Sequence, residues 1–392
     1  MTGEHQKNDW FAVGAYALLA GVSQLLWLTY APITTQSAAH FGVSEDAVGW
    51  LAEIFPLLYV VFAIPAAMLL DRWMRQTLIA AGALMLGGAT LRVAIDSYGA
   101  ALSGQFLVAL AQPAVLAAVT KLAAERVAPG ARPLAISLGS AGLFAGIVLA
   151  LVLGATIGAR DELRPLLWIN FAAALLAAVL VLVALRRPSE TEDAESVAIG
   201  FSDLRAIYTD AIQSRLGAMM FIGMGVFNAL ATWLEVLLRP DGVSSSESSW
   251  ILVAMTLAGI AGAITLPPLV ARGRRERWYL QLAAFVGAGC LVATQLSGEV
   301  FWLVLVAAGA GFVLLAAQPV ILEISERRAG RTAASAAGAI FLAGNLGGIL
   351  LAVVVQSINS HTAASFFVLA AAMLAIAPIA RSLPAGFNDP KT

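Results

Sequence analysis

The sequence has 392 residues, of which 60% are hydrophobic and only 12% are charged. A soluble domain carries about a quarter charged residues, so this composition excludes a soluble globular protein and indicates a polytopic membrane protein. The formal net charge of −1 gives no indication of a nucleic-acid partner. The single cysteine, Cys290, excludes a disulfide framework and a cysteine-based metal cluster.

Apolar runs long enough to cross a bilayer recur twelve times along the chain. A hydrocarbon core of about 30 Å needs about 20 residues in a helix, and helices are expected because lipid offers no partners to open backbone groups. The predicted spans, in chain order, are 10–32, 48–70, 76–96, 99–122, 133–158, 165–185, 212–238, 248–270, 278–297, 300–323, 333–357 and 363–380. The predicted fold class is therefore all-α, with twelve transmembrane helices.

The distribution of lysine and arginine predicts the orientation, since cytoplasmic loops carry an excess of both. With both termini cytoplasmic, only four of the 23 basic residues fall near outer ends, namely Arg92, Arg160, Arg164 and Arg239. The predicted location is a plasma membrane of the bacterial inner-membrane type, since the sequence has no N-x-[ST] sequon, which is compatible with a bacterial source. The longest polar segment, 187–210, is then a cytoplasmic linker that separates six spans from six.

The two halves repeat each other. The run "ALAQPAVL" around Gln112 and Pro113 returns as "LAAQPVIL" around Gln318 and Pro319, 206 residues later. A proline inside a membrane helix is tolerated where the helix lines a cavity or packs against protein, so Gln318 is expected to line a cavity or gate. The predicted organisation is an N-terminal six-helix bundle, a linker and a C-terminal six-helix bundle, at 1–186, 187–210 and 211–392.

Two pseudo-symmetric six-helix bundles resemble the major facilitator architecture, in which a solute binds between the halves and alternating access moves it. The segment "AAMLLDRWMR" resembles the facilitator signature between helices 2 and 3. Asp71, Arg72 and Arg75 are kept, whereas Ala67 and Met74 replace glycines. The resemblance implies a cytoplasmic gate at these three charged residues. The alternative is that the arginines only anchor the loop at the membrane surface.

Within that superfamily, the chain resembles the feline leukaemia virus subgroup C receptor family, known for choline, ethanolamine and haem-related transport. The resemblance covers the first five spans most fully, and the seventh and eleventh more thinly. It is carried by the stretches 48–72 and 103–132. The most specific residues are Gly104, Gln105, Leu107, Ala109, Ala111, Gln112, Pro113, Lys121, Leu122, Ala123 and Ala124.

The resemblance implies an aromatic cage with amide partners that binds a small organic cation. It places the cage residues on Trp27, Gln112, Phe227 and Asn345, where Phe227 lacks the tyrosine hydroxyl and Asn345 has a shorter arm than glutamine. Gln24 lies three residues before Trp27 on the same helix face and joins the candidates. A desolvated ammonium over aromatic rings gains about 2 kcal/mol. The alternatives are an interfacial tryptophan at Trp27 and core packing at Phe227.

Ionisable residues inside spans are functional candidates. Glu53 and Glu235 are predicted either to form an acidic outer vestibule or proton-coupling site, or to be solvated rim residues. Arg92 is expected to snorkel to the outer interface, and Glu323 to pair with Arg327 or with a gate arginine.

Glycines on the fifth and eleventh spans are predicted to give faces without side chains that allow close helix packing. They are Gly139, Gly142, Gly146, Gly344, Gly347 and Gly348.

The leading hypothesis is an alternating-access transporter of a choline-like or ethanolamine-like cation, with protons as a further partner. The alternatives are a proton-coupled drug or organic cation antiporter that uses Glu53, a haem transporter with His40 and His361 as iron ligands, and a non-transporting receptor. No hydrolase or metalloprotease motif occurs, so an enzyme is not expected. Neither a metal nor a cofactor is expected, and the protein is predicted to be a monomer.

Overall fold

A computed structural model describes residues 8–157, 163–186, 205, 207, 209–358 and 361–383. Every regular element in these ranges is an α-helix or a short 3-10 helix, and these ranges contain no strand. The predicted all-α polytopic fold is confirmed. Backbone contacts divide the chain into two compact units.

Unit one comprises Met1–Phe201 together with Gly330–Gly338. Its helices are α1 (Trp10–Trp27), α2 (Thr34–Phe41), α3 (Glu45–Ala94), α4 (Tyr98–Arg126), α5 (Arg132–Thr156) and α6 (Leu163–Ala184). Unit two comprises Ser202–Ala329 and Ala339–Thr392. Its helices are α7 (Ala211–Leu238), α8 (Ser245–Gly273), α9 (Glu276–Ala293), α10 (Val300–Leu314), α11 (Ala317–Ala329), α12 (Ala333–Ile358) and α13 (Thr362–Arg381). The first residues of α12 thus belong to unit one, and the predicted domain boundaries stay a prediction.

Most predicted spans correspond to single helices, with two differences. The second and third spans form one helix, α3, which kinks at Trp73, where φ is −139° and ψ is 55°. The tenth predicted span is split into α10 and α11 across Leu315 and Ala316. By length and composition, ten helical stretches in the described residues can cross a membrane. The twelve-span count agrees with them once α3 is counted twice and α9 is added.

Side-chain caps explain where several helices begin. Asp9 precedes α1 and accepts the N–H of Ala12 at 3.0 Å. Ser44 and Ser97 play the same part at the starts of α3 and α4. Such oxygens satisfy N–H groups that have no intrahelical partner.

Glycines bring helices together in the same way in both units. A Cβ added to Gly21 of α1 would lie 2.8 Å from the carbonyl oxygen of Gly142 in α5. In unit two, a Cβ added to Gly225 of α7 would lie 2.8 Å from the carbonyl oxygen of Gly347 in α12. Both separations are too short for any side chain, so the packing role predicted for these glycines agrees with the structure. The same glycine-to-carbonyl approach between corresponding helices of the two units also supports the internal repeat.

Candidate solute-binding and gating residues

Trp27 is the last residue of α1, and two contacts within unit one hold its half-buried indole. Nε1 donates to the carbonyl oxygen of Ala52 at 3.1 Å. The ring centroid lies 6.1 Å from that of Phe55, with the planes tilted by 36°. The indole N–H is therefore occupied by the protein, and the side chain can offer its partly exposed ring to a ligand.

Arg92 does not snorkel, so that expectation was wrong. Its side chain is only 3% exposed, and Nη1 donates to Gln105 Oε1 at 2.9 Å and to the Leu26 carbonyl at 3.3 Å. Nε2 of Gln105 donates in turn to the carbonyl oxygens of Leu51, at 3.0 Å, and Trp27, at 3.3 Å. These acceptors lie on other helices, which is why hydropathy along one span could not reveal them. Gln105 belongs to the motif that carries the family resemblance, yet the sequence alone assigned it no role.

The two glutamines predicted to bind solute are both buried in unit one but differ in their bonding. Gln24 is 4% exposed, and its Nε2 donates to Ser23 Oγ at 3.2 Å. Gln112 is 5% exposed and lies beside Pro113 inside the continuous helix α4. The Gln112 amide has no hydrogen-bond partner among the residues that the structure describes. Its oxygen and NH₂ do not belong to the fully buried polar atoms that lack a partner, so the amide is accessible for a further hydrogen bond.

The remaining predicted binding residues lie in unit two. Phe227 is half-buried in α7, and half-buried Asn345 in α12 donates from Nδ2 to the carbonyl oxygen of Phe341 on its own helix, at 2.9 Å. Gln318 is half-buried in the first turn of α11, directly after the helix break. That these residues bind the same solute as Trp27 stays a prediction.

Glu53 lies within α3 and Glu235 within α7. The side chains of both residues lie outside the part of the structure that is described. Their predicted vestibule or coupling role therefore stays a prediction.

Asp71 meets the first turn of α12 within unit one. Its carboxylate accepts the backbone N–H groups of Ala334, at 3.0 Å, and Ser335, at 2.8 Å, and also the Ser335 hydroxyl. Thr120 of α4 donates from Oγ1 to the carbonyl of Ala333 at 2.9 Å. Free N–H groups and the positive end of the helix dipole favour a carboxylate at this place.

The two arginines of the same motif make different contacts. The guanidinium of exposed Arg72 lies 4.3 Å from the centre of the Trp73 ring. Arg75 donates from Nη1 to the Arg186 carbonyl oxygen at 3.0 Å. The gating role of the motif stays a prediction.

An ionic cluster at one end of unit two joins the exposed Arg327 to two buried carboxylates. Arg327 bonds Glu323 through Nε at 2.8 Å and Glu276 through Nη2 at 2.8 Å. Both glutamates are buried, with Glu276 1% and Glu323 4% exposed. The expected pair of Glu323 with Arg327 is present, and Glu276 is a second partner that the sequence does not indicate.

The histidines of the haem hypothesis lie near helix ends. His40 Nε2 is 2.7 Å from Asp96 Oδ1, so this ring nitrogen is already engaged. His361 is exposed at the start of α13. In the described residues, no three His, Cys, Asp or Glu side chains form a group that could hold a metal.

Comparison with known proteins decides the family. The sequence profile of the Major Facilitator Superfamily matches residues 13–352. The chain belongs to the Major Facilitator Superfamily. This facilitator is 28% identical over 377 residues to solute carrier family 49 member A3 of Danio rerio, a match that covers 91% of this chain and 80% of that protein. It is 23% identical over 346 residues to the choline/ethanolamine transporter flvcr2b of Danio rerio, covering 81% and 71%.

Solved structures agree on the fold of this facilitator. The human organic anion transporter MFSD10 (TETRAN) matches with a TM-score of 0.79 and 15% identity, covering 96% of this chain and 100% of that one. Superfamily membership makes the protein a multi-pass membrane transporter of small molecules, for which alternating access is the general mechanism. Members of the superfamily are in general transporters, not enzymes.

Proposed function

We propose that this facilitator transports a small organic cation of the choline or ethanolamine type, which contacts the ring of Trp27 and the amide of Gln112. Two curated relatives are named choline/ethanolamine transporters, at 23% and 24% identity. An aromatic ring suits such a solute because its face attracts an ammonium group without a carboxylate having to be buried.

The observation that carries this proposal is the state of Gln112. The residue is 5% exposed in α4, and its amide has no hydrogen-bond partner among the described residues. The amide atoms do not belong to the fully buried polar atoms that lack a partner, which fits a group that stays accessible to a solute. The carbonyl oxygen and the NH₂ of the amide can each bond the hydroxyl group of choline or ethanolamine.

The ring of Trp27 adds the second contact. Because its N–H is bonded to Ala52, the indole is held in one orientation before the solute binds. Pre-orienting a ligand group reduces the entropy lost on binding. Gln24, Phe227, Asn345 and Gln318 complete the proposed set of lining residues.

The remaining assignments extend the same proposal. Asp71, Arg72 and Arg75 form the cytoplasmic gate, and Glu53 and Glu235 form either an outer vestibule for cations or the proton-coupling acids. The protein lies as a monomer in a bacterial inner membrane with both termini cytoplasmic.

Binding to the purified full-length protein tests the substrate. Choline, ethanolamine, haem and a lipophilic cation are titrated against the wild type, Trp27→Ala, Gln112→Met and the control Trp168→Ala, whose side chain is 55% exposed in unit one. We expect choline or ethanolamine to bind the wild type and the control alike, and both site variants to bind it at least tenfold more weakly, as the loss of about 1.4 kcal/mol implies. Failure of both amines to bind the wild type, or equal binding to Trp27→Ala, contradicts the proposal.

Coupling is tested separately by uptake into vesicles with and without a pH gradient. We expect Glu53→Gln to abolish a gradient-driven component if that carboxyl group carries the proton. An unchanged pH response in this variant removes Glu53 from the coupling mechanism.

A further inference from the structure

Helix α1 ends inside the protein, so its last carbonyl groups need donors. The four final carbonyls of a helix have no further helical N–H groups unless the chain or a side chain supplies them. At the end of α1, the N–H of Leu28 bonds the Gln24 carbonyl at 3.1 Å, and the hydroxyl of Thr29 lies 3.0 Å from the Leu25 oxygen and 3.1 Å from the Leu26 oxygen. A hydroxyl has one hydrogen to donate, so the carbonyls of Leu26 and Trp27 can still take partners from elsewhere.

Side chains of α3 and α4 supply those partners. Arg92 Nη1 lies 3.3 Å from the Leu26 oxygen, and Gln105 Nε2 lies 3.3 Å from the Trp27 oxygen. A guanidinium also suits this place because the C-terminal end of a helix carries partial negative charge. Arg92 and Gln105 thus complete the end of α1 across three helices.

Gln105 also bonds the segment of α3 that holds the indole of Trp27. Pro56 has no N–H, so the carbonyl of Ala52, four residues earlier, lacks its helical donor. The indole N–H of Trp27 bonds that carbonyl at 3.1 Å. One residue earlier, the carbonyl of Leu51 accepts from Gln105 Nε2 at 3.0 Å. The backbone of Trp27 and the stretch that receives its ring are therefore tied together by one amide.

We propose that Gln105 and Arg92 are positioning residues, which set the orientation of the Trp27 ring without touching the solute. This inference rests on the proposed role of Trp27 in solute binding. Gln105 uses both ends of its amide, since Oε1 accepts from Arg92 while Nε2 donates to two carbonyls. Losing the NH₂ group alone frees the end of α1 from the Pro56 region, and the ring then loses its fixed orientation.

The first arm of the test observes the ring without any ligand. The full-length protein is labelled with 5-fluorotryptophan, and the ¹⁹F resonance of Trp27 is assigned by its absence from Trp27→Phe. Gln105→Glu keeps the acceptor for Arg92 but removes both donated bonds, and we expect the Trp27 resonance to shift and broaden. The matched control is Gln295→Glu, whose Nε2 bonds Thr294 Oγ1 at 3.2 Å in unit two, and it should leave that resonance unchanged.

The second arm measures transport. We expect Gln105→Glu to raise the KM for choline about tenfold, the effect of roughly 1.4 kcal/mol of lost positioning, while Vmax changes less than twofold. Arg92→Lys keeps the charge and one donor, so its KM should lie between those of the wild type and Arg92→Leu.

The resonance and transport measurements distinguish failure of the positioning role from failure of the proposed function. If the wild type transports neither choline nor ethanolamine, the proposed function fails and the resonance arm still decides the positioning role. A Trp27 resonance that is unchanged in Gln105→Glu and in Arg92→Lys overturns the positioning role, whatever the solute. If either variant fails to fold, the resonance in the other decides alone.

Discussion

The carboxylate of Asp71 accepts a 2.8 Å hydrogen bond from the backbone N–H of Ser335, 264 positions later in the chain. Residues Gly330–Gly338 belong to unit one together with Asp71. Asp71 thus caps a helix far away in sequence and fastens its first turn to unit one.

Replacing Asp71 by alanine is expected to remove this cap and lower the free energy of unfolding by about 1–2 kcal/mol. Asp71→Asn keeps an acceptor oxygen and should lose less. Thermal unfolding of the purified protein in detergent measures both. Arg72→Ala is the control, because its exposed side chain packs on exposed Trp73 and should matter little. Unfolding of Asp71→Ala at the wild-type temperature would contradict the cap.

Two glycine variants test the close packing of α1 against α5. A Cβ at Gly146 would overlap the backbone of Gly21, whereas a Cβ at Gly14 meets nothing within 4 Å. We expect Gly146→Ala to destabilise unit one by about 1–3 kcal/mol through overpacking. Gly14→Ala should be neutral or stabilising by up to about 1 kcal/mol, from helix propensity alone. Denaturant unfolding of both variants measures the difference, and equal stabilities would refute the packing argument.

The ionic cluster of unit two predicts a large effect at Arg327. In Arg327→Met, the buried carboxylates of Glu276 and Glu323 lose a shared partner. Because the arginine itself is exposed, the expected cost is about 1–3 kcal/mol, less than for a fully buried ion pair. Arg272→Met removes an exposed charge of the same helix bundle and should change stability by less than about 0.5 kcal/mol. Restoring stability by adding Glu323→Gln to Arg327→Met would identify the stranded charge as the cause. Both comparisons use equilibrium unfolding in detergent.

The lowered pKa of Asp210 makes the free energy of unfolding depend on pH. Burial raises the pKa of its carboxyl group, but hydrogen bonds from Arg328 and from the N–H groups of Gln213 and Ile212 outweigh burial and lower the pKa below its ordinary value. The ionised Asp210 carboxylate therefore contributes fully to the stability of the folded protein above the ordinary aspartate pKa of about 3.9. This contribution is lost as the pH falls through the lowered pKa of the folded state. We expect the wild type to lose its advantage over Asp210→Asn on acidification. A stability difference that does not change from pH 6 to pH 3 would contradict this assignment.

Apolar runs were sufficient to predict the helices, because a bilayer fixes their length and excludes other spanning structures. The two departures are local. The chain continues helically through Asp71 and departs from helical φ/ψ at Trp73, and α1 ends at Trp27 five residues before the predicted end of its span. Hydropathy averages over many residues, so it cannot detect a helix end that is completed by side chains of other helices.

The candidate site could be predicted only in part for the same reason. Gln112 could be selected from a motif, since its neighbour Pro113 marks it in the sequence. Arg92 and Gln105 are 13 positions apart, and their acceptors on α1 lie at least 65 residues away from either. Nothing in the pattern of a single span shows which side chain reaches a distant carbonyl, so Arg92 was expected at the surface although it is buried.

The backbone around the repeated Gln-Pro pair differs between the two copies. Pro113 lies within the unbroken helix α4, whereas α10 stops at Leu314 and the chain resumes as α11 at Ala317, just before Pro319. Amides beside a helix break open more readily than those of a continuous helix, so residues 315–318 should exchange hydrogen for deuterium faster than residues 109–112. One copy of the pair thus lies in a continuous helix and the other beside a helix break. We expect bending during the transport cycle to be concentrated beside Pro319.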